Sequence, residues 1–139
     1  MTPLDEIEGR LEQLLSGGSH GKETVAELLR LGEEVLEHWI VARGETPTQD
    51  RREGFRLLAL HRQGAKGAPS FNACRETCRE LVYRYNLVMA EPDPAKAAVT
   101  AAMAVLVAKH LYLFVSGKME VEGLGEFCCS SRTLRQASR

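Results

Sequence analysis

Three absences bound this chain before any of its motifs are read. Its 139 residues carry a formal net charge of -1, so it lacks the basic excess of a protein built mainly to grip nucleic acid or an anionic membrane. The N-terminus MTPLDEIEGRLEQ has acids where a secretory leader needs a basic head and an apolar run, and a cytoplasmic protein is expected. No internal repeat, low-complexity tract, or catalytic or nucleotide-binding fingerprint stands in it. No catalytic residue is assigned, and a non-enzymatic role is expected.

What is present suits one domain. A chain of 139 residues that is 44% hydrophobic can bury a core without staples. The four cysteines, in a reducing compartment, are expected to be free thiols or metal ligands rather than a disulfide framework. Charge is unevenly spread: residues 1–42 carry nine acids and three bases, and residues 43–90 carry nine bases and five acids. That asymmetry implies internal complementarity or a partner surface.

Hydrophobic spacing predicts an all-α fold, a single up-down bundle of four to five helices with a mostly irregular C-terminal segment. One domain covers 1–139, its core at about 22–117 and an extension at 118–139. Leu4, Ile7, Leu11, Leu14 and Leu15 mark a first helix. A second, about Lys22 to Ala42, carries an apolar stripe on which Gly32 permits close helix approach. A third runs from about Gln49 to Gln63, with Phe55, Leu58 and Ala59 facing inward. Ser70 is placed as the N-cap of a fourth helix, whose seam is Phe71, Cys74, Cys78, Leu81, Tyr85 and Val88. Glu76 to Arg79 and Glu80 to Arg84 are spaced for ion pairs on its outer side. EPDP at 91–94 breaks it. The fifth helix, Ala95 to Gly117, is apolar almost all the way round. Lys109 and His110 within it argue against a membrane span and for a central core helix.

The turns set levels along the bundle. Folding about EPDP brings Cys74 and His110 to one level, and folding about GAKGAP at 64–69 brings His61 there too. Cys128 and Cys129 follow the same end. A metal set is therefore posed from Cys74, Cys78, His110, Cys128 and Cys129, with His61 as a further candidate. Such soft ligands suit zinc, copper(I) or an iron-sulfur cluster. The competing reading is inert core thiols, since Cys74 and Cys78 fall on the apolar seam. A phosphotransfer histidine is not supported, because Arg62, Gln63 and Gly64 follow His61 where a lysine-glycine pair is needed. Arg52, Arg56, Arg62 and Lys66 form a basic stripe leading into GAKG. It is either a phosphate-receiving segment or a solvated face turned toward the acidic first third, and it lacks the alternation of bases and aromatics that a single-strand binder needs.

Two functions remain. The first is an accessory or regulatory bundle acting by protein-protein contact, as a homodimer or other homo-oligomer, with Trp39, Tyr83, Leu87 and Met89 among its surplus apolar surface. The second is a metal-binding or thiol-redox sensor built on the cysteines and His110.

Overall fold

The computed structural model describes residues 1–18 and 20–124. Among the described residues five α-helices follow in order: α1 (Leu4–Ser16), α2 (Lys22–Ala42), α3 (Arg56–Ala65), α4 (Arg75–Ala90) and α5 (Pro94–Val121), with a 3₁₀ turn at Pro69–Cys74 before α4. They pack as an all-α bundle in which α5 lies against α1, α2 and α4. The core takes in α1, through Leu4, Ile7, Leu11 and Leu14, as well as the segment from 22 onward.

Close approach to α2 is made possible at Gly32. A Cβ there would stand 3.2 Å from Leu57, 3.3 Å from Leu81 and 3.5 Å from Leu111, so α3, α4 and α5 all converge on that point. On α5 the buried line is Ala97, Ala101, Ala104 and Ala108, side chains small enough for neighbouring backbones to come near.

Helix ends follow local chemistry. Asp93 caps α5 by accepting the amide of Ala95 at 2.9 Å, and Pro94 takes the first helical position, where a missing N–H costs nothing. The helix runs past Gly117 and stops four residues beyond it. Gly123, at φ +69°, supplies the left-handed residue of a Schellman cap, and the amide of Leu124 returns to the Met119 carbonyl at 2.8 Å.

Helix α3 starts later than its spacing predicts. Arg52 and Phe55 exchange two backbone hydrogen bonds of 3.0 Å across a tight turn whose central residues, Glu53 (φ +55°) and Gly54 (φ +86°), are left-handed. No helix passes through such a turn. Its inward face is consequently Leu57, Leu58, Leu60, His61 and Gly64, with Phe55 and Ala59 only partly covered.

Ser70 does not cap α4. It sits inside the 3₁₀ turn, where its hydroxyl accepts from Lys118 at 2.7 Å. Of the two ion pairs expected on α4, Glu80–Arg84 forms at 2.9 Å, while Arg79 turns to Glu53 and Glu76 to Arg75. The acidic α2 and the basic middle do meet, at Arg56, which lies 3.4 Å from both Glu33 and Glu37.

Candidate functional site

Two regions combine reactive or unpaired groups: a buried thiol pair beneath a cationic groove, and an apolar stripe on the outside of α5.

The thiol pair begins with packing. Trp39 and Phe71 stack with centroids 4.6 Å apart and planes 9° from parallel, and the indole N–H donates to the Gly64 carbonyl at 2.9 Å. Phe71 is thereby pinned, and its own carbonyl becomes a fixed acceptor. His61 reaches that carbonyl from α3 at 3.3 Å through Nε2. Because a carbonyl can only accept, Nε2 carries the proton. The Cys74 thiol donates to the same oxygen at 3.3 Å. Cys74 and Cys78 are both buried and free of disulfide.

Their environments push the two sulfurs apart in acidity. A hydrogen bond from Cys78 to the Cys74 thiolate, against the opposing effect of burial and aided by His61, pulls Cys74 down to about 6. Cys78 moves well above the ordinary thiol range, because it is the donor in that hydrogen bond and because burial and the charge on Cys74 both disfavour its ionisation. The first proton lost therefore belongs to a thiol pair, with Cys74 the better anion.

Outside this pair lies a groove of about 610 Å³ whose lining includes Arg52, His61, Arg62, Lys66, Arg75 and Arg79. His61 joins the groove to the thiols, since it lines the former and bonds the carbonyl that Cys74 also bonds. Arg56, placed on the basic stripe by sequence, leaves it for the carboxylates of α2. The GAKG amides form no cradle, because Gly64 and Ala65 belong to α3 and the Lys66 amide is bonded to the Gln63 carbonyl.

Of the metal set posed from sequence, Cys74 and Cys78 are brought together, with His61 beside them. His110 lies on α5 and is exposed. At 100° per residue it stands about 200° round the helix from the buried Ala108. Cys128 and Cys129 lie outside the described residues. Among the described residues no three His, Cys, Asp or Glu side chains are grouped to hold a metal ion.

The second region went unseen in the sequence. On α5, Val99 (63% exposed), Met103 (45%), Leu106 (59%) and Leu113 (53%) lie open to solvent. With His110 and Gly117 they step by four and three along one face, the spacing of a coiled-coil seam. A Cβ at Gly117 would meet nothing within 4 Å. On α4, Tyr83 and Leu87 are exposed as expected, whereas Trp39 is fully buried and Met89 packs partly against the core. By length and composition α5 could cross a membrane, with 39% of its most apolar 18-residue window buried in the fold; the core of a bundle passes the same test.

Compared with protein-family models, curated proteins and solved structures, the chain matches none.

Proposed function

We propose that the protein is a non-enzymatic bundle that acts by contact, pairing with a second copy of itself through the outer face of α5. One observation carries this reading: the line Val99, Met103, Leu106, Leu113 is apolar, exposed and spaced for a helical partner. These four side chains leave on the order of 400 Å² of apolar surface on one line, within the ~300–600 Å² of the largest patches on monomers, which are often functional. Tyr83 and Leu87 on α4, with a polar rim, extend it toward the ~800 Å² that each partner brings to a standard interface.

A seam of four-three spacing is complementary to another of the same spacing, which favours a second copy over an unrelated partner. An antiparallel pair of α5 helices suits it best. That arrangement seats Val99 over the open Gly117 position and Met103 over Leu113, and keeps the two His110 rings apart. Sedimentation across a dilution series tests it. The native chain is expected to form dimers and Leu106→Glu to remain a monomer of unchanged helix content; a native chain that stays monomeric at ~100 μM, two decades above a ~1 μM dissociation constant, refutes it. Retention on vesicles by a native chain that does not dimerise would transfer the stripe to a lipid surface and equally sink the pairing.

A second reading rests on the thiol pair. Two sulfurs one turn apart, with His61 adjoining, supply part of a thiolate-imidazole set for zinc or copper(I), and Cys128 and Cys129, outside the described residues, are the ligands that the sequence offers to complete it. Metal analysis of anaerobically purified protein, native and Cys74→Ser, tests it; equal and negligible metal in both removes it.

A further inference from the structure

The groove over His61 has a property that neither pairing nor the thiols require. Five cations, Arg52, Arg62, Lys66, Arg75 and Arg79, line one concavity of a chain whose net charge is -1. Arg75 and Arg79 have carboxylate partners in Glu76 and Glu53. Arg52, Arg62 and Lys66 form no ion pair within 4 Å among the described residues, although Arg52 also attracts Glu53. Against the two carboxylates Glu53 and Glu76 the five cations leave a net excess of about three positive charges, and no carboxylate lines the groove.

We infer that this groove binds a small molecule bearing two or more phosphate groups. The cations come from separate pieces of the fold: Arg52 from the tight turn before α3, Arg62 from α3 itself, Lys66 from its end, and Arg75 and Arg79 from the first turns of α4. Such convergence surrounds a ligand, whereas a solvated helix face would spread its charges along one element. Planar guanidinium groups take phosphate oxygens in pairs, and a lysine adds a point charge, so the set suits a chain of phosphates better than a single carboxylate. A volume of about 610 Å³ matches a compound of diphosphate or nucleotide size. Its apolar lining is Leu58 and Ala65, with no Phe, Tyr or Trp on which successive bases could stack, which disfavours single-stranded nucleic acid.

The test is calorimetric titration of the full chain with tripolyphosphate at low salt. One bound tripolyphosphate per chain is expected, weakened roughly tenfold or more in the double variant Arg62→Ala with Lys66→Ala, since each lost charge-assisted hydrogen bond is a factor of that order. Both positions are exposed, so the double variant folds, and circular dichroism verifies it. A second variant, Arg30→Ala on the distant α2 surface, is expected to bind as the native chain does. No heat up to ~10 mM tripolyphosphate, the millimolar limit of weak binding, overturns the inference. So does equal binding by the double variant, or binding of a single-stranded oligonucleotide without binding of tripolyphosphate.

Discussion

Replacing Gly64 by alanine is expected to destabilise the fold although it lies inside helix α3, where alanine is normally the better residue. A Cβ at position 64 would stand 2.9 Å from Trp39 Cδ1 and 3.0 Å from Phe71 Cε2. Both are ring atoms of a stack whose centroids are 4.6 Å apart, so neither neighbour is the free end of a flexible chain. Retreat of the indole would also stretch its 2.9 Å hydrogen bond to the Gly64 carbonyl. Overpacking of this kind costs ~1–3 kcal/mol and a weakened buried hydrogen bond ~1 kcal/mol, against a helix-propensity gain of ~1 kcal/mol. The net loss is ~1–3 kcal/mol, which in urea lowers the unfolding midpoint by on the order of 1 M. Gly9→Ala on α1 is the matched control: nothing lies within 4 Å of its Cβ, and that variant is expected to gain up to ~1 kcal/mol. If Gly64→Ala matches or exceeds the native midpoint while Gly9→Ala rises, the ring sandwich has slack and the packing argument fails.

The thiol pair makes a pH prediction. Cys74 is lowered to about 6 from an ordinary 9.0, so its contribution is present above the unfolded value and lost as pH falls through the folded one. The stability difference between the native chain and Cys74→Ala should accordingly grow between pH 6 and pH 9; a difference that stays flat across that window rejects the shift. Arg56 faces Glu33 and Glu37, and burial already pushes the Glu33 carboxyl up, with Arg56 opposing it. A carboxyl raised on folding destabilises once ionised, so Arg56→Gln should cost ~1–3 kcal/mol at neutral pH and less at ~pH 4, which paired urea titrations would resolve.

Much of the scaffold was legible because it rests on spacing. The stripe of α2 placed its bounds at Lys22 and Ala42, and the prolines of EPDP placed the break before α5. His61 and Cys74 were brought together correctly, since both lie at one level and on inward faces. His110 was placed by the same arithmetic, but it stands on an exposed face. Levels follow from turn positions alone, whereas the face of a helix is read from its polar side, and α5 has almost none. For the same reason the exposed line Val99 to Leu113 could not be told from core. The late start of α3 depends on a left-handed Glu53, a conformation that its residue type does not announce. The groove needed the fold itself, because its cations are scattered from 52 to 79 and meet only when the 3₁₀ turn carries α4 back beside α3.

Pairing through α5 and anion binding in the groove should be separable, and the fold gives the reason. Helix α4 packs against α5 on one side and, with the 3₁₀ turn, against α3 on the other. The groove opens on the α3 side, where Arg75 and Arg79 lie, while Arg84 leans the other way, to Met103 of the stripe at 3.5 Å. A helix with its side chains is ~10 Å across, so at least that distance separates the two surfaces. A charge introduced at position 106 therefore acts on the groove from beyond the ~8 Å Debye length of physiological salt. Leu106→Glu should abolish the dimer and leave tripolyphosphate affinity within about twofold, at one bound anion per chain in either state. A loss of affinity that follows dissociation would place the anion between two copies instead, with cations from both chains around it, and the groove of a single chain would no longer be the binding unit.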